Sequence, residues 1–140
     1  MSDTANPPKA AFPFIKIDAG GRASLTAVRC KACGSWYAET HRLACARCGK
    51  REFETAEPTL TGKLHAASIV ERGFPGTPTP FISAVVDLDD GPVLKGMLRG
   101  VACKPGEIPH GRRVKVVFDD ALGRKDAEGN SYVSHFFEPA

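Results

Sequence analysis

Cys30-Lys31-Ala32-Cys33-Gly34 and Cys45-Ala46-Arg47-Cys48-Gly49 repeat one pattern, C-x2-C-G, with eleven residues between the pairs. Two residues between cysteines let both sulfurs of a pair face a single point. The glycine after each pair lets the backbone reach the positive φ that a tight turn needs. Together the pairs offer four thiolates, a tetrahedral donor set suited to Zn²⁺. The spacer is long enough for a short hairpin that brings the two turns face to face. Residues 30–48 therefore read as a zinc ribbon. Iron in a rubredoxin-like site would use the same four sulfurs. Disulfides or redox thiols are the third reading, and they lack the strand–CxxC–helix pattern that a redox motif shows. A site closed by four cysteines leaves no position for water or substrate. Its metal is expected to hold the fold together and to do no chemistry.

The remaining reactive side chains form no catalytic set. Cys103 follows Val101 and Ala102 and reads as a buried thiol without a base nearby. His41, His65, His110 and His135 have no ligand spacing and read as surface or packing residues. Asp87, Asp89 and Asp90 precede Gly91 and read as turn residues. Gly73–Gly76 is interrupted by Phe74 and Pro75 and leads into no helix, so it is not a phosphate loop. The chain is expected not to be an enzyme on its own.

The elements that must carry these residues are short strands. Residues 1–11 read as a loose tail, and Phe12-Pro13-Phe14-Ile15 as an apolar docking segment. Leu25–Val28 leads into the first cysteine turn. Trp36 and Tyr37 follow that turn and are expected to cover the metal. From Thr59 the pattern has period two, with Leu60, Gly62, Leu64, Ala66, Ser68 and Val70 on one face. The loop Arg72–Pro80 is rich in Pro and Gly. Phe81–Leu88 and Pro92–Arg99 read as strands joined by an Asp-Asp-Gly turn, with Gly96 at a bulge or bend. Val114, Val116 and Phe118 point inward from a fourth strand. Asp120–Asn130 reads as a polar link to a fifth, Ser131–Phe137. Five strands with a long third connection suit a small Greek-key barrel of OB type. The fold class is thus mainly β, a rubredoxin-like zinc ribbon followed by a five-stranded Greek-key OB-fold barrel. The expected parts are a tail and docking segment (1–29), the ribbon (30–56) and the barrel (57–140).

Charge weighs on the choice of partner. The 140 residues carry a formal +3, which four thiolates and one Zn²⁺ would lower by two. Residues 1–56 hold nine Lys/Arg against five Asp/Glu, whereas residues 57–140 hold ten against eleven. A nucleic-acid surface normally shows a stronger basic footprint. The N-terminal residues are polar, without the apolar stretch of a signal peptide, and no apolar run approaches a membrane span. With reduced cysteines, this points to the cytoplasm.

The order of these features resembles the acyl-CoA-associated zinc-ribbon/OB-fold proteins over nearly the whole chain. The resemblance is carried by Val28–Gly34, Cys45–Gly49, Leu60–Leu64, Pro80–Gly91, Leu94-Lys95-Gly96 and Ile108–Val116. It implies a non-catalytic accessory subunit, in a hetero-oligomer with a thiolase-like catalytic chain that makes or breaks acyl-CoA bonds. One structural zinc and an acyl-CoA bound with the partner are its expected cofactors. Lys63, Arg72, Phe74 and Arg99 are the expected contacts to CoA or partner. A nucleic-acid-binding ribbon/OB module is the competing reading.

Overall fold

Branched and aromatic residues at alternating positions drive most of the chain into strands, since such side chains pack well on a pleated surface. The computed structural model describes residues 8–140; the first seven residues of the expected tail lie outside them. In chain order the strands are β1 (Lys9–Ala10), β2 (Ile15–Ile17), β3 (Ala23–Leu25), β4 (Ala27–Cys30), β5 (Trp36–Tyr37), β6 (Phe53–Ala56), β7 (Thr61–Val70), β8 (Phe81–Leu88), β9 (Val93–Leu98), β10 (Arg113–Lys125) and β11 (Ser131–Pro139). A single 3-10 turn, Pro105–Glu107, lies between β9 and β10. Among the described residues no helix is long and apolar enough to cross a membrane.

Five strands close a barrel. β7 pairs antiparallel with β8 and β10, β8 with β9, and β10 with β11. A parallel pairing of β11 with β9, Phe136 opposite Met97, shuts the ring. The expected five-stranded OB barrel is the observed one. Leu64, Ile82, Val86, Leu94, Leu98, Val114 and Phe137 fill it, all buried. Burying one such side chain contributes about 1.5–3 kcal/mol. β4, β5 and β6 form a separate three-stranded sheet that carries the cysteines.

The docking segment docks on its own chain. β2 and β3 form a hairpin whose directly opposed Ile15 and Leu25 join the barrel core. Phe12 and Phe14 stack at 5.3 Å, and both rings meet His135 of β11. Residues 9–11 are not loose, because β1 adds a parallel strand to β11 and Lys9 pairs with Asp126 at 2.8 Å.

Three local expectations change. The register of β7 against β8 shifts between Leu64 and Ala66. One extra residue there moves every later side chain to the other face, so Ala67 and Ile69 pack on the core instead of Ala66 and Ser68. Gly96 marks no bulge, because its pairing with Ala84 is regular. A Cβ at Gly96 would lie 2.9 Å from both His135 Nε2 and Phe137 Cε2, so the barrel needs glycine for close approach. Asp120–Lys125 extends β10 and is not a link; its ladder with β11 resumes after a register break at Lys125.

Candidate metal centre and contact surfaces

The two cysteine turns are near copies in backbone as well as in sequence. Gly34 donates its amide to the Cys30 carbonyl and Gly49 to the Cys45 carbonyl, each at 2.9 Å. The Cys30 amide bonds Ser35 and the Cys45 amide bonds Lys50, each at 2.8 Å. Gly34 and Gly49 hold φ at 81° and 77°, a region that costs glycine nothing. β4 delivers Cys30 at its end, pinned on one side by β5 and on the other by β6.

The four sulfurs lie within 4.8 Å of one another. Cys30 and Cys48 are 3.6 Å apart, and Cys33 and Cys45 3.5 Å. Thiolates placed tetrahedrally at about 2.3 Å from a metal are about 3.8 Å from each other. The donor set therefore fits a four-sulfur metal site. Cys30 and Cys45 are buried, while Cys48 is exposed. The Tyr37 hydroxyl hydrogen-bonds Cys45 Sγ at 3.4 Å and accepts the Ala46 amide at 3.1 Å. That hydroxyl, aided by the Cys48 and Arg47 amides, draws the Cys45 thiol down to about 5 against the opposing effect of burial. A thiolate is the form a metal requires.

Aromatic cover is divided between two tasks. Tyr37 covers the sulfurs, with the Arg42 guanidinium 3.8 Å above its ring and Phe53 edge-on at 6.3 Å. Trp36 faces the other way. A Cβ on Gly91, in the β8–β9 turn, would sit 3.1 Å from Trp36 Cδ1. Trp36 thus links ribbon to barrel instead of covering the cysteines as expected. Beside it, Asp89 accepts both Nη groups of Arg113 at 2.6 and 2.7 Å and the Thr61 hydroxyl at 2.7 Å. Asp90 accepts the Thr59 amide at 2.8 Å. The acidic residues of this turn therefore fasten the ends of neighbouring strands.

The four expected contact residues do not converge. Lys63 lies near the start of β7, opposite Asp87 and Arg113. Seven residues of strand, about 23 Å at 3.3 Å per residue, separate it from Val70, after which Arg72 and Phe74 lie exposed on the loop. Phe74 is 84% exposed. Arg99 borders a shallow pocket with Pro78 and Pro80 of that loop, but its Nε bonds Glu138 and its Nη1 bonds Asp119, each at 2.8 Å. The Arg99 guanidinium also lies 4.7 Å above the Phe136 ring.

The other reactive residues are held in place. Cys103 is half-buried, with Sγ 3.7 Å from the Pro80 carbonyl. His65 is exposed and bonds Asp87 at 2.9 Å. His135 is buried; its Nε2 donates to the Lys95 carbonyl at 2.6 Å, and its Nδ1 has no partner among the described residues. Burial pushes its pKa down, against the opposing pull of the Lys95 carbonyl. Of the surface or packing roles expected for this histidine, the structure shows packing, against Phe12 and Phe14, more than a hundred residues away in sequence.

Comparison with known proteins places this architecture. Residues 56–119 match the family described as ChsH2, C-terminal OB-fold domain. A DUF35 domain-containing scaffold protein of Methanocaldococcus jannaschii is 32% identical over 101 residues, 69% of each chain. The chain belongs to the DUF35 family. Another relative of this DUF35 chain is the benzoylsuccinyl-CoA thiolase subunit BbsA of Geobacter metallireducens. It is 37% identical over 71 residues, 51% of this chain and 47% of that one. Among solved structures, a chain of the Ltp2-ChsH2(DUF35) aldolase superposes with a TM-score of 0.64 at 26% identity, covering 83% of this DUF35 chain and 84% of the other. One of these relatives is named a scaffold protein, one a thiolase subunit, and the solved structure is an aldolase.

Proposed function

We propose that this protein is a non-catalytic subunit of a thiolase-like acyl-CoA enzyme complex. The observation that carries the reading is its likeness, across most of its length, to a scaffold protein, with a thiolase subunit and an aldolase component among its other relatives. In this reading Cys30, Cys33, Cys45 and Cys48 hold one structural zinc. Zinc when bound supplies cross-linking to a ribbon with little core of its own. The ribbon (30–56) and the barrel (57–140) act as two joined modules behind an N-terminal docking segment (1–29). Five free cysteines suit a reducing compartment such as the cytoplasm.

The catalytic groups and most of the acyl-CoA site belong to the partner. The loop after β7 is the part of this chain best shaped to reach it. Its three prolines reduce the entropy lost on docking, and Phe74 stands out at its tip. Arg72 sits beside Phe74, and Lys63 serves a second contact at the ribbon end of β7. Arg99, engaged by Asp119 and Glu138, sets the base of the loop and is the weakest phosphate ligand of the four. Purification of the tagged chain from its native host tests the reading. A stoichiometric thiolase-like protein is the expected companion. Recovery of the chain with nucleic acid and without such a protein would replace this reading with the ribbon/OB nucleic-acid module.

A further inference from the structure

OB folds bind their ligands across the outer face of the second and third strands, here β8 and β9. On that face lies a pocket of about 550 Å³, a size suited to a small molecule. Its lining includes the aromatic residues Phe12, Phe81, Tyr132 and Phe136, and Gly96 packed close to His135. Its charges are Lys95 and Arg124, and no carboxylate lines it among the described residues. Neither cation makes an ion pair among the described residues, although Arg29, Arg42, Arg99 and Arg113 all do. Both are exposed, and so is their positive charge at the pocket.

The pocket also has a built closure. The distal part of β10, where its register breaks, brings Ala121, Leu122 and Arg124 to the β8–β9 face. Leu122 holds φ at 57°, a left-handed conformation that a branched side chain rarely adopts. Such strain persists where surrounding structure imposes it and concentrates at ligand clamps. It is spent here on placing a leucine against the pocket. A polymer track would be open along its length, whereas this space is bordered by Phe12 of the β1–β2 connection and by Leu122 of β10.

We propose that this pocket binds a small organic anion with a flat apolar body, its carboxylate or sulfonate held by Lys95 and Arg124 and its body between the aromatic walls. The site belongs to this chain alone and does not rest on the accessory-subunit reading. The probe is 2-naphthoate, titrated into the full metal-loaded chain by calorimetry and by amide chemical shifts. One saturable site is expected, with shifts centred on Gly96, Leu122 and His135. Lys95→Gln and Arg124→Gln should each weaken binding about tenfold or more, the loss typical of one charge-assisted hydrogen bond. The neutral analogue 2-naphthalenemethanol should bind weakly by the same measure. Leu122→Gly should fold, because glycine accepts this φ, and should bind less tightly for want of the wall. Non-saturable binding, equal affinity for the neutral analogue, or charge variants that bind as well as the unmutated chain would overturn the proposal. Displacement of naphthoate by an oligothymidylate with steep salt dependence would overturn it in favour of a nucleic-acid track.

Discussion

Cys45 shows how a single residue ties local chemistry to folding. Its sulfur is buried, hydrogen-bonded by Tyr37 and 3.5 Å from Cys33. Cys45→Ser replaces a thiolate by a poor zinc ligand, so zinc measured by elemental analysis should fall from one per chain to near zero. Amide signals of residues 27–56 should collapse while those of β7–β11 persist. His135 sets a different test. It is buried neutral, with its folded pKa below the ordinary ~6.5. The unfolded chain therefore takes up a proton first, and the stability that neutral His135 contributes is full above about pH 6.5 and declines as pH falls through its lowered value. His135→Phe should flatten the loss of urea stability between pH 7 and pH 5. At pH 7 the variant should be less stable by about 1–3 kcal/mol, because the Lys95 carbonyl loses its donor. Asp89 acts lower on the scale. Hydrogen bonds from Arg113, then Thr61, hold it at about 2, below the ordinary ~3.9. Its contribution is full above about pH 4 and is lost as pH falls through 2, so Asp89→Asn should remove that part of the acid transition in a circular-dichroism titration.

In the proposed reading, partner binding turns on the loop after β7. Phe74 contacts the body of the protein little, since 84% of it is exposed. Phe74→Ala should therefore leave the melting temperature within a degree or two. An anchoring aromatic at an interface is worth about 2 kcal/mol or more when truncated, so the Kd for the partner or for acyl-CoA should rise at least about thirtyfold in calorimetry. Unchanged affinity for both would reduce the loop to a connection. Elements also mark where sequence stops being readable. The cysteine turns are legible because their chemistry is local and their spacing fixes it. Val114, Val116 and Phe118 are legible because a regular strand repeats every two residues. The second half of β7 is not, since a single extra residue near His65 reverses its faces without changing its composition. Asp120–Lys125 is mostly exposed and polar, so no burial pattern announces that it pairs with β11. Gly96 looks like any strand glycine, and only the rings of His135 and Phe137 folded against it show why it is there.

At the scale of the whole molecule, ribbon and barrel are joined by small, specific contacts, chief among them Trp36 on Gly91. The cysteine cluster and the loop after β7 are thus separately built, one on the three-stranded sheet and the other on the barrel. The isolated chain should show no thiolysis or condensation of acyl-CoA, whereas mixing with its thiolase-like partner should restore turnover. Robust turnover by the chain alone would refute the accessory role. The strand order of the barrel and the four-cysteine cluster were readable in the sequence, although the faces of distal β7 and the length of β10 were not. The pocket under Leu122 was not, because Phe12, Phe81, Lys95, Arg124 and Tyr132 meet only after the barrel has closed.

The pairing of β1 with β11 sets an order of events during synthesis. Lys9 emerges from the ribosome early, yet its partner Asp126 is 117 residues further on. The three-stranded sheet and all four cysteines of the ribbon lie within residues 27–56 and are made well before β11, and domains generally fold as they emerge. Phe12 and Phe14 must wait for His135, which is made long after them. Until then Phe12 and Phe14 lack the His135 ring they pack against. Formation of β11 is thus what closes this corner of the fold: residues 9–14 are held by a strand made long after them.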